Sequence, residues 1–301
     1  DSYQDQRAQF AVAQPLARCV EGTLEEVDGR HRLLLPTPPG PLPDAPYLHT
    51  HALWTWEFLV QRAPNLQLLQ VEDVDLGSGP LEWLCKCLRS HPEIKTLRLR
   101  GAHVGPAGAK MVRNVLAQNT SLVEVTLDAC GLLDAGLHEL AEGLATASGP
   151  LEVLSLRGNS FTAKRLSKLA EALCSADSGC GLRELDLSEN PLGIAGAKEM
   201  AQIIRSSAHG LHKIALQDCA LDFAAFWRLV GSLDDALPLS SLDLRCNPIG
   251  RGTRRCWHGT MGPTIRCEVL LSDHPLKAKR ARQREGTEDD TSWFPLPCRW
   301  F

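Results

Sequence analysis

The feature that most restricts what this chain can become is a repeat. The pattern LxxLxLxxNxL, slid along the sequence, matches seven times in succession. Leu66, Leu69, Val71, Val74 and Leu76 carry the first unit, and Ile94, Leu97, Leu99, Ala102 and Val104 the second. Leu122, Val125, Leu127, Cys130 and Leu132 follow, then Leu151, Leu154, Leu156, Asn159 and Phe161. The last three are Leu182, Leu185, Leu187, Asn190 and Leu192; Leu211, Ile214, Leu216, Cys219 and Leu221; and Leu239, Leu242, Leu244, Asn247 and Ile249. Their first positions lie 28, 28, 29, 31, 29 and 28 residues apart. Of the 49 leucines, 36 fall between Leu66 and Leu244, while aromatic residues make up only 5% of the chain, so the core must be built from thin aliphatic side chains.

Each unit has a physical reading. The LxL centre alternates with period two, which predicts a short strand with its leucines on one face. The Asn at the ninth position ends the strand, where its amide can satisfy backbone groups freed by the turn and bond to the neighbouring unit. Cys130 and Cys219 fill the same space with a weak donor. Helical spacing follows: Leu137, Leu140, Ala141 and Leu144 make one stripe, and Leu166, Leu169, Ala170 and Leu173 repeat it. Gly108, Gly136 and Gly196 recur four residues after the eleventh position, where a helix must pack closely. A strand plus a helix in this length cannot bury its own apolar face, so the units must stack. Helices are wider than strands, so the stack curves. The expected fold is an α/β solenoid, a horseshoe with parallel strands on the concave face and helices on the convex face.

The period, the helix in every unit and the mixture of Asn and Cys at the ninth position resemble the ribonuclease-inhibitor-like class of leucine-rich repeats. The resemblance covers residues 66–258. It implies the horseshoe fold, but that fold serves inhibitors, GTPase activators, immune sensors and assembly subunits alike.

The flanks do not fit the template. Residues 1–65 hold six prolines between Pro36 and Pro46, which predicts an extended segment. Leu33, Leu34 and Leu35 before it suit a short strand. Trp54, Trp56, Phe58 and Leu59 after it suit a capping helix over the first unit. In residues 259–301, Ile265, Cys267, Val269 and Leu271 alternate like a closing strand. A basic run from Lys277 to Arg284 and an acidic stretch follow, then Trp293, Phe294, Trp300 and Phe301. Four large aromatics in nine residues are costly to leave in water, so this segment is expected to fold back over the stack or, by preference, to dock on another chain. The first residue is Asp1 rather than Met, which suits a processed or partial product.

Catalytic signatures are missing. The sequence has no GxxxxGK[ST] phosphate loop, no GxGxxG after a strand, no HExxH and no GxSxG, so an enzyme is not expected and no cofactor is implied. Cys256, His258, Cys267 and His274 are ligand types at a spacing that matches no familiar zinc pattern, so no metal site is expected. Lys and Arg total 32 against 36 Asp and Glu, a net charge of −4 that argues against a phosphate backbone as main partner. No run approaches a membrane span, and nothing suggests a small-molecule substrate. Eleven cysteines, an odd number with several at core positions, point to free thiols in a reducing intracellular compartment, the cytoplasm before an organelle.

The partners expected are therefore other proteins. The template exposes Gln70, Glu72, Arg98, Arg100, Thr126, Asp128, Ser155, Arg157, Asp186, Ser188, Ala215, Gln217, Asp243 and Arg245 on the strands. Any solvent-facing strand must be polar, which accounts for most of them. Arg98, Arg100, Asp128, Arg157, Asp186 and Arg245 go further, because arginine pairs bidentately and is favoured at interfaces. Those six, with Trp293, Phe294, Trp300 and Phe301, are the expected partner-binding residues of a non-catalytic scaffold or accessory subunit. The alternative is a regulator of an enzyme. It is weakened because the Ran-type GTPase activators and the ribonuclease inhibitors have more repeats, and the inhibitors a strongly acidic inner surface where this one is mixed.

Overall fold

The computed structural model describes residues 24–27, 30–35, 66–72, 78–147, 149–174, 181–206, 210–234, 237–257 and 266–271. The proline-rich stretch, Trp54–Leu59 and the aromatic segment at 293–301 lie outside them.

Each LxL centre is a strand. β1 (Leu24–Val27), β2 (Arg30–Leu35), β3 (Leu66–Glu72), β4 (Thr96–Arg100) and β5 (Glu124–Asp128) are followed by β6 (Val153–Ser155), β7 (Glu184–Asp186), β8 (Lys213–Ala215), β9 (Ser241–Asp243) and β10 (Glu268–Leu270). They form one ten-stranded sheet in chain order. β1 runs antiparallel to β2, with Val27 opposite Arg30, so Asp28-Gly29 connects them. That dipeptide suits a two-residue hairpin. From β2 onward every neighbouring pair is parallel. β2 thus continues the sheet one strand beyond the first template match, with Leu33 opposite Leu69 and Leu35 opposite Val71. β10 closes the other side, with Val269 opposite Leu242.

Register lines up the inward residues. Leu69, Leu97, Val125, Leu154, Leu185, Ile214, Leu242 and Val269 are successive partners across the sheet, and all are buried. Burying each such side chain contributes roughly 1.5–3 kcal/mol before entropy is counted. The opposite wall is helical: α1 (Ser78–Ser90), α2 (Gly105–Gln118), α3 (Leu133–Ala145), α4 (Leu166–Cys174), α5 (Gly193–Ser206), α6 (Phe223–Val230) and α7 (Arg251–Cys256). From α1 to α6 each packs against the next. On α3 Leu137, Leu140, Ala141 and Leu144 are buried, and on α4 Leu166, Leu169 and Ala170, with Leu173 half-buried. Parallel strands backed by one row of helices make a curved leucine-rich-repeat solenoid.

Close packing explains one recurrent glycine. A Cβ on Gly196 would lie 2.5 Å from Leu192 Cβ and 3.3 Å from Leu166 Cδ1. Any larger residue there would collide with Leu192 at the entry to α5 and crowd the tip of Leu166 on α4.

The ninth-position residues tie the turns together. Asn159 Oδ1 accepts from the N–H groups of Cys130 (3.0 Å) and Leu132 (3.3 Å) in the preceding unit. Its Nδ2 donates to Leu127 O at 2.6 Å and Leu156 O at 2.9 Å. Asn190 does the same for Asn159 N (2.9 Å) and Phe161 N (3.0 Å), and Asn247 for Cys219 N (2.8 Å) and Leu221 N (3.0 Å). The cysteines keep the donor half. Cys130 Sγ donates to Leu99 O and Cys219 Sγ to Leu187 O, each at 3.3 Å across one unit. Both are free thiols, and burial pushes them up to about 11 and about 12 respectively.

A second polar tie joins the helix C-termini. Asn119 Nδ2 donates to Leu88 O at 2.6 Å, and its Oδ1 accepts from Ser121 N and Leu122 N, both at 2.8 Å. One unit earlier, His91 Nδ1 accepts from Ile94 N at 3.2 Å. Buried backbone groups outside a ladder need such partners, and a side chain at the helix exit supplies them.

Candidate partner-binding face

Because the even template positions of each strand point into the core, the third, fifth and seventh positions point away from it. They form three columns across the sheet. The outermost runs Thr96, Glu124, Val153, Glu184, Lys213 and Ser241, and the next Arg98, Thr126, Ser155, Asp186, Ala215 and Asp243. The alternation that placed the second column also places the first, one pair of residues earlier along each strand. Glu124, Glu184 and Lys213 face outward on that ground, as the fifth and seventh positions do.

Most of the charge on this face is already paired. Arg98 Nε and Nη2 both lie 2.8 Å from Glu124 Oε1. Lys213 Nζ lies 2.6 Å from Glu184 Oε1. Arg157 Nη2 donates to Glu189 Oε1 at 2.6 Å, and that bond holds the guanidinium above its ordinary value. Arg245 clasps Asp243 within one turn, with Nη2 at 2.6 Å and Nε at 3.0 Å. Exposed pairs of this kind contribute at most about 1 kcal/mol each, so they shape the surface more than they stabilise it.

Arg100, Asp128 and Asp186 differ. Arg100 is exposed, stands between Glu72 and Asp128 in the register, and among the described residues has no ion-pair partner. Asp128 accepts from Ser155 Oγ at 2.6 Å and from Arg157 N at 3.2 Å. Burial pushes its carboxyl above the usual range, the two hydrogen bonds pull it back, and the charge of Asp186 adds to the rise. Asp186 accepts from Ser188 N at 2.8 Å. The structure thus brings Asp128, Arg157 and Asp186 into one electrostatic group, with Arg100 at its edge. Arg98 stands on β4 and Arg245 just past β9, five strands away, on the order of 24 Å apart at about 4.8 Å per strand.

Three residues expected in solvent are not there. Gln70, Ser188 and Asp243 are buried. Asp243 is roofed by its own Arg245, and Gln217 Nε2 donates to it at 2.7 Å. Ser188 lies past the end of β7, where the chain has turned; its hydroxyl accepts from Gln217 N at 3.0 Å. A short strand brings the seventh position into the turn at Ser188, whereas Gln70 and Asp243 are fifth positions within β3 and β9, so alternation alone overstates exposure at both positions.

Among the described residues the thiol and imidazole groups form no cluster of three, and no group of three or more His, Cys, Asp or Glu could hold a metal ion. Cys256 and Cys267 are described, whereas His258 and His274 lie outside. Cys85 is buried on α1 and its thiol is pushed up to about 12 by burial, while Cys87, two residues on, is only half-buried. No described helix is long and apolar enough to cross a membrane.

Comparison with known proteins agrees with this architecture. A leucine-rich-repeat family model matches residues 181–201. The NACHT, LRR and PYD domains-containing protein 5 of Bos taurus is 29% identical over 69% of this chain and 18% of its own length. The ribonuclease inhibitor of Sus scrofa is 28% identical over 71% of this chain and 53% of its own length. The chain therefore spans about half, or far less, of the curated relatives it matches. Among solved structures, it is similar to a chain in the crystal structure of a TLR13–ssRNA13 complex, with 17% identity, 71% of this chain and 30% of that one covered, and a TM-score of 0.39. Sheet, helices and repeat define a leucine-rich-repeat protein. Within that class the long helical units and the relatives make it one of ribonuclease-inhibitor-like type.

Proposed function

We propose that the chain is a non-catalytic protein-interaction module, a scaffold or accessory subunit of a larger assembly in a reducing intracellular compartment. The observation that carries this reading is the open polar face of β4–β9. Paired charges there frame Arg100, Asp128 and Asp186, whose ionic capacity is not used up within the solenoid. A protein surface bearing both signs of charge fits such a face better than a polyanion does.

The test is native affinity purification with the wild-type chain and Arg100→Glu. Arg100 holds no pair in the described structure, but Glu there would face Glu72 and Asp128 across the register, so an unchanged unfolding midpoint of the variant is the control that its fold is intact. A concave-face partner should be lost from the variant and should weaken with salt in the wild type. Equal recovery of every co-purifying protein by both chains would overturn the reading.

A regulator that binds and inhibits an enzyme is the second reading, favoured by the similarity to ribonuclease inhibitors over about half their length. On that reading the purified chain titrates a ribonuclease to inactivity with a sharp stoichiometric end point.

A further inference from the structure

The strand-to-helix rim of the solenoid carries exposed apolar side chains on neighbouring units. Phe223, first residue of α6, is 59% exposed, and Ile194, second residue of α5, is 47% exposed. Both stand two residues after the eleventh template position, so they are equivalent sites on adjacent repeats. Trp227, one turn along α6, is half-buried and meets the Phe223 ring edge-on at a centroid distance of 6.3 Å. Behind it, Phe226 stacks edge-on with Trp227 at 5.3 Å and with buried Trp257 at 5.8 Å. The rim patch is the open end of an aromatic column rooted in the core.

The chain leaves β10 on this same rim. β10 is parallel to β9 and in register with it, so its C-terminal end faces the side on which every unit turns from strand to helix. Residues 272–292 then separate β10 from Trp293. For a coil of 21 residues, the root-mean-square span is about 25 Å. The patch lies two to three units back from β10, on the order of 20–30 Å at the usual spacing of packed helices. Span and linker match, the condition under which an attached segment has its highest effective concentration, around millimolar.

We propose that the aromatic segment Trp293–Phe301 docks on its own solenoid, over Phe223, Trp227 and Ile194, instead of on another chain. Trp293, Phe294, Trp300 and Phe301 supply large rings that bury apolar area at low entropic cost, against a patch that otherwise leaves a phenylalanine and an isoleucine in water. Tethering favours this occupant over a second copy at ordinary protein concentrations. The concave face plays no part, so failure of either proposal leaves the other standing.

The experiment places a photo-cross-linking phenylalanine analogue at position 223 of the full chain and maps the products by mass spectrometry. Cross-links to residues 291–301 within one molecule, in a yield unchanged by dilution, are expected. In parallel, Phe223→Ser should speed amide exchange in 293–301 by roughly tenfold or more, because docking protects those amides only while the patch is apolar. Cross-links that join two copies, cross-links that miss 291–301, or exchange indifferent to Phe223→Ser would each overturn the proposal. Phe223 is exposed and its removal opens no cavity, so the variant folds.

Discussion

At the scale of single residues, the ninth position shows how one template site tolerates two chemistries. Asparagine supplies an acceptor for two N–H groups of the preceding turn and donors for carbonyls of that turn and its own. The cysteine thiol offers one weak donor and relies on fit. Asn159→Ala should therefore cost roughly 1–3 kcal/mol, because it leaves buried backbone groups unpaired. Cys130→Ala should cost less, about 1 kcal/mol, and a pair of urea-denaturation midpoints ranks the two. The thiols also predict a pH window. Their folded values lie above the ordinary 9.0, so their contribution to stability is full below pH 9 and is lost as pH rises toward about 12. Native protein at pH 8 should leave Cys130 and Cys219 unlabelled by a thiol reagent, while denatured protein without reductant should titrate all eleven cysteines. Finding several bridges instead would refute the free-thiol reading. Leu133 is one of eight described non-glycine residues with positive φ: its φ is +56° and it is 49% exposed, where three equivalent positions hold Gly105, Gly193 and Gly250. Leu133→Gly should raise stability by up to about 1 kcal/mol, read as a higher melting temperature.

At the scale of elements, two glycines separate propensity from packing. Gly79 near the start of α1 has open space where a Cβ would go, so Gly79→Ala should stabilise by roughly 0.5–1 kcal/mol. Gly143 lies late in α3, and a Cβ there would sit 3.0 Å from both Cα and O of Arg113 on α2. A helix backbone cannot yield as a side-chain tip can. Gly143→Ala should therefore destabilise despite alanine's better propensity, and thermal unfolding of the two variants should shift in opposite directions. Strands and helices were legible because both periods are strong: the buried rows at Leu69–Val269 and the α3 stripe fall where the spacing puts them. Two devices escaped the template. Asp28-Gly29 joins β1 to β2 but lies outside the repeat, where no apolar period marks it. The Asn119 and His91 ties sit at helix exits, where no apolar period marks the site and the need arises only from packing.

At the scale of the whole molecule, stability is spread along the stack, since each unit touches mainly its neighbours. Leu185→Ala, in the middle of the buried row, should cost roughly 2–5 kcal/mol, visible as a lower denaturation midpoint. The outward columns were legible apart from the buried Gln70, Ser188 and Asp243, yet the state of their charges was not. Alternation says that Arg98 and Arg245 face outward. It cannot say that Glu124 and Asp243 hold them, because those pairs depend on register between units and on where each short strand turns. If this outward face is the binding surface, lysines divide the molecule cleanly for testing it. Among the described residues, Lys213 lies on the concave columns, while Lys110, Lys168 and Lys198 are exposed on the helices. Amine footprinting of the native complex against the free chain reads both sides at once. The account predicts protection of Lys213 with Lys110, Lys168 and Lys198 labelled as before; protection of the helical lysines with Lys213 unchanged would contradict it.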